Sequence, residues 1–439
     1  MKDGFWRLYL IIATILLGVV LLGFLFRADL GYAYFFGNPR DTFMDYFNSI
    51  SKASLITSYK SSNIYPPLCW VIFDVCRLLS GDTKAIIESG DGSVFTLKYY
   101  QAPMMIWTIM LMICILLIYS LISEMWNYES PLKQWGIILL MLSVPFLFTV
   151  ERGNIILLSF IGTLAFFAMK DSEKKWVREA GYLCLAFAAA IKIYPAIFGF
   201  VLVKEKRYKE ALRLAIYGII VFVIPFLFFC EEGISGIFYF FGNLLGWSSA
   251  YMNSVTKQVA LGSGLTRNIA KEILDPNVID GSRIGFAAFM EHLFMWFGLS
   301  AGAAIRAAAK LGTCLSAIAF VTAFFSKKKW QFVLLLACVL VGFQSRSYVY
   351  TAIFLIIPFI FFLREEKRSA WNVVYFSLLM LILFPLPFGW TEHLHEWGYY
   401  INHRSFNDLQ IGGAIFGVTI ASIIDIIFSQ VMTKMNKKI

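Results

Sequence analysis

The sequence has little charge, and this scarcity limits the class of protein that it can encode. Only 15% of the 439 residues are charged, whereas 59% are hydrophobic, and the mean hydropathy is +0.70. A soluble enzyme carries far more charge, so this composition excludes one. Apolar runs recur along the whole length, without an internal repeat or a separate soluble segment. We therefore predict an all-α polytopic membrane protein, with a single integral membrane domain over residues 1–439.

Histidine is scarce and cysteine is scattered, so neither indicates a metal centre. The four histidines include the pair His393 and His395, with a glutamate on each side. A spacing of two in a loop is a weak metal signal, and we predict no metal and no cofactor. The seven cysteines contain no CxxC pair, and five lie inside apolar runs. We interpret all seven as packing residues.

Basic residues outnumber acidic ones, and they are clustered. The chain has 38 Lys and Arg against 28 Asp and Glu, a net charge of +10. Short basic loops are typical of the cytoplasmic side of membrane proteins, so this charge predicts topology and no nucleic-acid partner. The clusters fall in short breaks between apolar runs: "KDSEKKWVRE" (170–179), "KEKRYKEALR" (204–213), "SKKKW" (326–330), "REEKR" (364–368) and "KMNKK" (434–438).

Twelve apolar segments can be placed along the chain. With both termini in the cytoplasm, this number puts every basic cluster on the cytoplasmic side of what we expect to be a plasma membrane. The first segment is predicted to be a retained helix, because no small-residue cleavage site follows it. Several segments are shorter than the roughly 20 residues of a spanning helix. The segments lie near 5–26, 102–122, 135–150, 154–169, 179–191, 194–203, 211–230, 303–325, 330–343, 349–363, 371–389 and 410–430.

Three loops are long enough to hold a site on the outer side. They cover 27–101, 231–302 and 390–409. Within the first loop, "PPLCWVIFDVCRLLSG" (66–81) is apolar but contains an aspartate and an arginine. We predict an amphipathic helix lying at the outer surface. If this segment crossed the membrane instead, the sidedness of every later segment would invert.

Two acids stand in the first outer loop, in "NPRDTFMDYFNSI" (38–50). If this stretch is helical, their spacing of four puts Asp41 and Asp45 on one face, one turn apart. A carboxylate beside apolar walls can act as a general base toward a hydroxyl group. The alternative is structural: Asp41 caps a surface helix and Asp45 is solvated.

Other polar residues interrupt apolar sequence at the predicted outer ends of helices. The Pro-Pro pair in "SNIYPPLCW" presents Tyr65 rigidly before a helix. Lys192 in "AAIKIYPAIFGF" is a single ammonium at the tip of a predicted hairpin over 179–203, where a lipid phosphate could bind it. The alternative is that it snorkels to the interface. The remaining candidates are Glu151, Arg152 and Asn154 in "VERGNIILLSF", Arg267 in "TKQVALGSGLTRNIA", and Gln344 and Arg346 in "GFQSRSYVYTAIF".

An ordered set of these motifs resembles the GT-C glycosyltransferases, and most of all glycosyltransferase family 87, the polyprenyl-phosphate-mannose-dependent mannosyltransferase type. The set is "MDYFNS", "IYPPL", "ERGNIILLSF", "AGYLCLAFAAAIKIYPAIFGFVLVKEKRYKEALR", "LGSGLTR" and "SRSYVYTAIFLIIP". The resemblance implies a GT-C-like fold and a metal-independent, inverting transfer of a hexose, mannose for this type. The donor would be a polyprenyl phosphate sugar, the acceptor a lipid or glycan, and the reaction would occur on the outer side among membrane lipids.

The resemblance also implies roles for the candidate residues. It makes Asp45 the catalytic base, with Asp41 as its helper or the alternative base. The donor phosphate would be held by cations, first Lys192 and Arg346, then Arg152. Two departures leave the choice of base open: the acids are spaced Asp-x-x-x-Asp rather than Asp-x-Asp, and "ERGN" replaces a Gly-Gln-x-Asn form. Tyr65, Asn154, Gln344 and Arg267 complete the predicted substrate-binding set.

Two other functions compete with this interpretation. The first is an oligosaccharide polymerase or ligase that acts on a lipid-linked repeat, and His393, His395 and Arg404 in the third outer loop favour it. The second is a transporter for a lipid-linked saccharide. A transporter would be expected to carry acids or broken helices near the midplane in paired halves, which the sequence does not indicate.

Overall fold

A computed structural model describes residues 5–26, 34–36, 41–60, 63–126, 132–245, 283–344, 347–365, 369–387 and 401–436. These residues are mostly helical, and no strand occurs among them. Two isolated bridges join Thr57 to Cys230 and Arg283 to Tyr348. The predicted all-α class is confirmed.

The helices follow the predicted apolar segments, with small differences at their ends. The segment predicted over 135–150 is divided into two helices, and two others begin with a 3-10 turn, Tyr194–Gly199 or Val349–Leu355. The helices are α1 (Phe5–Phe26), α2 (Met44–Lys52), α3 (Pro67–Ser80), α4 (Thr83–Ser89), α5 (Gln101–Trp126), α6 (Lys133–Met141), α7 (Val144–Arg152), α8 (Ile156–Met169), α9 (Lys175–Ile191), α10 (Phe200–Lys204), α11 (Tyr208–Phe229), α12 (Gly233–Leu245), α13 (Phe286–Trp296), α14 (Ala301–Ala323), α15 (Lys329–Gly342), α16 (Ile356–Glu365), α17 (Ala370–Leu383) and α18 (Ile401–Asn436).

Five of the described helices are long and apolar enough to cross a membrane, namely α1, α5, α11, α14 and α18. The pair α6 and α7, bent by 53° at a short break, would make a sixth span. The other predicted segments form shorter apolar helices, including α8, α15 and α17. The protein is therefore a multi-pass membrane protein, and the total of twelve crossings stays a prediction.

The chain divides into two compact units. The first unit comprises Met1–Asn38, Gln134–Phe148 and Ala250–Ile439, and the second comprises Pro39–Lys133 and Thr149–Ser249. In the first unit, α15 is apolar and buried almost all round, as expected of a central helix. The buried Gln331 on α15 donates hydrogen bonds to Tyr375 Oη and Asp425 Oδ2, both at 2.8 Å. These bonds satisfy the amide inside an otherwise apolar core.

In the second unit, α8 and α9 pack closely because small residues face one another. A Cβ added to Gly162 would lie 2.5 Å from the Cys184 carbonyl oxygen. Ser159 donates to the Ala188 carbonyl at 2.8 Å, which joins the two helices a second time. Small residues and interhelical hydrogen bonds are the usual means of association between membrane helices.

The predicted hairpin over 179–203 is confirmed, with α9 as its first arm and the 3-10 turn and α10 as its second. The two basic segments that flank it lie together at its open end. Lys170 Nζ contacts Glu205 at 2.7 Å and Asp171 at 2.8 Å, and Arg207 donates to the Lys170 carbonyl at 2.8 Å. The hairpin therefore turns at its other end, where Lys192 follows α9.

Candidate functional site

Asp41 and Asp45 come close together, although they do not share one helix. Helix α2 begins at Met44, so Asp45 lies in its first turn and Asp41 precedes it. The residue at the helix start is Phe43, with φ of 61°, and no side chain caps the helix there. The predicted one-helix-face geometry is therefore wrong, because a left-handed residue separates the two acids. The structural alternative of Asp41 as a helix cap is wrong for the same reason.

Both carboxylate oxygens of Asp45 are hydrogen bonded to the end of α7 and the residues just after it. Arg152 Nη2 lies 2.6 Å from Asp45 Oδ1, and Asn154 Nδ2 lies 2.7 Å from Asp45 Oδ2. The Arg152 Nη1 atom also lies 3.5 Å from Asp41 Oδ2. The Arg152 and Asp45 side chains are 22% and 20% exposed. One guanidinium therefore joins the two acids in a site that is only partly open to solvent.

The backbone of the two segments explains this arrangement. Gly153, with φ of +65°, lies between Arg152 and Asn154, and a Cβ added there would lie 3.0 Å from the Phe43 Cα. Phe43 N donates to the Glu151 carbonyl at 2.6 Å. Only a glycine combines that φ with such a close approach. The turn at Gly153 therefore lets residues 152 and 154 both reach Asp45.

Glu151 points away from its neighbour Arg152, as expected of adjacent helical residues. Its side chain is buried, and its Oε1 accepts a hydrogen bond from Thr42 Oγ1 at 3.0 Å. Glu151 thus fixes the segment that carries Asp41. We infer separate roles for Glu151 and Arg152.

Lys192 lies in the same site and faces an aromatic ring. Its Nζ is 4.1 Å from the centroid of the Tyr65 ring, the geometry of a cation–π contact. Burial disfavours the charged amine and lowers its pKa to about 8, although the charge of Asp45 acts in the opposite direction. Lys192 therefore does not snorkel away from the protein. The charge of Asp45 acts on both Lys192 and Tyr65, since it also raises the pKa of Tyr65, which burial already raises.

Tyr65 is held rigidly, as its two prolines predicted. Pro66 is the residue before α3 and Pro67 is its first residue. The Tyr65 carbonyl accepts a hydrogen bond from Tyr59 Oη at 2.6 Å, and its ring packs edge-on against Trp70. This part of the first long loop (27–101) is therefore a rigid surface beside Lys192.

Glu232 ties the same loop to the residues after α11. Its carboxylate accepts hydrogen bonds from Ser58 Oγ at 2.5 Å and from Tyr59 N at 3.0 Å. Asn243 Nδ2 adds a bond to the Tyr59 carbonyl at 2.8 Å. Burial raises the pKa of Glu232, but the hydrogen bonds outweigh it and lower that pKa to about 2. Residues 232 and 243, at the start of the second long loop, are therefore hydrogen bonded to the first long loop.

The remaining predicted site residues are placed differently. Gln344 belongs to the first unit, where its Nε2 donates to the Leu340 carbonyl at 2.9 Å. Arg267, Arg346, His393, His395 and Arg404 lie outside the residues whose side chains are described. In the part of the chain that the structure describes, no group of three or more His, Cys, Asp or Glu residues could hold a metal ion.

Lys98 is a charged residue of the second unit that no sequence motif indicated. It lies in the 3-10 turn Val94–Tyr99, and the charges of Asp41 and Glu151 act on it. Burial lowers its pKa, and those two acids oppose the shift. A lysine among aromatic residues in "VFTLKYY" was the available signal, and it resembles the setting of Asp41 and Asp45.

Comparisons with known proteins identify the family. No curated protein and no solved structure matches the chain significantly. A family model, glycosyltransferase family 87, matches residues 92–315, just over half of the 439 residues. The matched range contains Arg152, Asn154 and Lys192, whereas Asp41, Asp45 and Tyr65 precede it. The chain therefore belongs to glycosyltransferase family 87 and is a membrane glycosyltransferase.

Proposed function

We propose that this glycosyltransferase moves a hexose, mannose in the first instance, from a polyprenyl phosphate donor to a hydroxyl group of a lipid or glycan acceptor. The observation that carries this proposal is the pairing of a held carboxylate, Asp45, with a nearby, partly buried ammonium, Lys192. In one half-enclosed site, the base can accept the proton of the acceptor hydroxyl group, and the cation can stabilise the departing phosphate.

In the proposed step, the acceptor oxygen attacks the anomeric carbon of the donor sugar. The bond between that carbon and the phosphate oxygen breaks, and its electron pair leaves with polyprenyl phosphate. Asp45 accepts the proton of the attacking hydroxyl group. The direct displacement inverts the anomeric configuration. Because the leaving phosphate is already a stable anion, a cation such as Lys192 can stabilise it without a general acid.

The contacts also support different roles for the candidate residues. Arg152 and Asn154 both contact Asp45, so we assign them to positioning the base rather than to the donor phosphate. Lys192 is then the first candidate for the phosphate, with Tyr65 as its support. Asp41 shares Arg152 with Asp45 and would set how strongly Arg152 holds the base. Arg346, Arg267 and Gln344 keep their proposed roles toward the substrates.

The charge distribution of the second unit supports an outer-face site in a plasma membrane, and the proposal keeps both termini cytoplasmic. The basic ion-pair network lies at the start of α9, and Lys192 follows its end. A 17-residue helix is about 26 Å long, close to the thickness of the hydrocarbon core. If the basic network is cytoplasmic, as such clusters are in most membrane proteins, the carboxylate site faces outward.

A donor screen with the purified protein in lipid tests this function. Wild-type protein would receive polyprenyl phosphate mannose or another polyprenyl phosphate hexose, together with membrane extract as acceptor. We expect release of polyprenyl phosphate and a new glycosidic bond of inverted configuration. Transfer only from oligosaccharide-linked lipids would favour a polymerase. Movement of the lipid-linked sugar across the membrane without bond cleavage would favour a transporter.

A further inference from the structure

An apolar groove in the second unit has no part in the chemistry described so far. Its volume is about 420 Å³, and it lies between α9, α11 and the second arm of the hairpin, which includes the 3-10 turn Tyr194–Gly199 and α10. This volume falls in the roughly 300–1,000 Å³ range of ligand pockets. No charged or polar side chain lines it. A groove of this kind suits a hydrocarbon chain and not a sugar.

The groove is long, and small residues make it. Along α11 its lining includes Ala211, Ala215, Gly218 and Phe222, a spacing that keeps to one helix face. From Ala211 to Phe222 this face is about 16 Å long. Small residues usually bring membrane helices together. Here they border open space, since a Cβ added to Gly218 would meet nothing within 4 Å.

One end of the groove adjoins the candidate site. Ile193 lines the groove, and it follows Lys192 directly in the chain. At the same end, the Phe222 ring lies 5.3 Å from that of Phe226, which in turn lies 5.3 Å from that of Tyr59. Tyr59 donates its hydroxyl hydrogen to the carbonyl of Tyr65, the residue whose ring contacts Lys192. Packed aromatic residues therefore connect the groove with the Lys192 ammonium.

We propose that this groove holds the polyisoprenoid tail of the donor lipid, with the donor phosphate at Lys192 and the tail running from Phe222 toward Ala211. The inference rests on the proposed function, because it takes a lipid-linked donor as given. The charge at one end and the apolar length behind it are complementary to one anionic head on one long hydrocarbon chain. A single groove of about 420 Å³ suits one hydrocarbon chain, whereas a membrane phospholipid brings two.

Variants that fill the groove at two depths test this assignment. Gly218→Phe fills it one turn from Phe222, and Ala211→Phe fills it at the far end. Ile220→Phe is the matched control, since Ile220 is on the same helix, is 45% exposed and does not line the groove. Each protein would be assayed with donors of short, intermediate and long isoprenoid tails. Thermal unfolding would check that every variant is folded.

We expect the effect to depend on both depth and tail length. Ala211→Phe should raise KM by at least about tenfold for the long-tailed donor only. Gly218→Phe should do so for the intermediate and long tails, and Ile220→Phe for none. Equal losses with all three donors would overturn the proposal, because the groove would then be only structural. Unchanged KM values in both groove variants would overturn it as well.

Photo-crosslinking of the wild-type protein separates this proposal from the reaction itself. The probe is a polyprenyl phosphate hexose with a diazirine in the far part of its tail. Label on peptides of α9 or α11 would support the groove even if no sugar transfer occurred. Label confined to helices of the first unit would overturn it even if transfer were efficient. If the proposed function alone is wrong, sugar transfer will fail while the groove is still labelled.

Discussion

Arg152 holds both acids of the site, with Nη2 at 2.6 Å from Asp45 Oδ1 and Nη1 at 3.5 Å from Asp41 Oδ2. A planar guanidinium can serve two carboxylates at once, whereas an ammonium is a single point charge. Arginine is therefore specifically required at this position, although lysine would conserve its charge.

Replacing Arg152 by lysine should therefore impair the reaction without unfolding the protein. We expect Arg152→Lys to lower kcat by about 10- to 100-fold, because Asp45 would lose its fixed orientation. Single-turnover kinetics with the donor lipid would measure this loss. Arg77→Lys is the matched control, since Arg77 pairs with Asp74 at 2.8 Å in the same unit. A normal kcat in Arg152→Lys would show that the guanidinium fork is dispensable.

Gly153 should be intolerant of any side chain. In Gly153→Ala the new Cβ would be strained by the positive φ and would approach Phe43 Cα at 3.0 Å and Tyr46 Cβ at 3.1 Å. We expect a loss of about 2–4 kcal/mol in the free energy of unfolding. Gly92→Ala is the control: its φ is +74°, but its Cβ meets nothing within 4 Å, so about 1 kcal/mol should be lost. Denaturant titrations of both variants in one lipid system would measure the difference, and equal losses would exclude a role for the close approach.

The lowered pKa of Lys192 predicts an alkaline limit to activity. Burial lowers this pKa to about 8, and only the protonated amine can pair with the donor phosphate. As pH rises above about 8, kcat/KM should fall, and the decline should approach about tenfold per pH unit. In Lys192→Arg the side chain stays charged, so the alkaline limb should disappear from the pH profile. An unchanged limb in that variant would assign the titration to another group.

The helical framework could be predicted from the sequence, whereas the pairing of the site residues could not. Apolar segment length and basic flanks predicted the helices, including the hairpin that turns at Lys192. The residues Asp45 and Arg152 were each identified as charges in apolar surroundings. Their contact spans 107 positions of sequence and depends on two left-handed residues, Phe43 and Gly153. No local pattern encodes such a contact, and none distinguished Glu232 in "CEEG" from an ordinary loop residue.

Glu232 should make the stability of the protein depend on acid pH. Its hydrogen bonds, chiefly from Ser58 Oγ and Tyr59 N, overcome the effect of burial and lower its folded-state pKa to about 2. A lowered carboxyl pKa stabilises the fold above the unfolded-state value and loses this effect as pH falls toward the folded-state value. Between about pH 5 and pH 2, the free energy of unfolding should therefore depend less steeply on pH in Glu232→Gln than in wild type. The exposed neighbour variant Glu231→Gln should keep the wild-type slope, and identical curves for all three proteins would contradict this prediction.

The role of Asp45 as the base is tested most directly by the turnover of Asp45→Asn beside Asp41→Asn, measured as release of polyprenyl phosphate from polyprenyl phosphate mannose. Asparagine keeps the size of the side chain and can still accept a hydrogen bond, but it cannot act as a base. We expect Asp45→Asn still to bind the donor and to lose nearly all turnover, whereas Asp41→Asn should keep a measurable fraction. Turnover near the wild-type level in Asp45→Asn would contradict the assignment of Asp45 as the catalytic base.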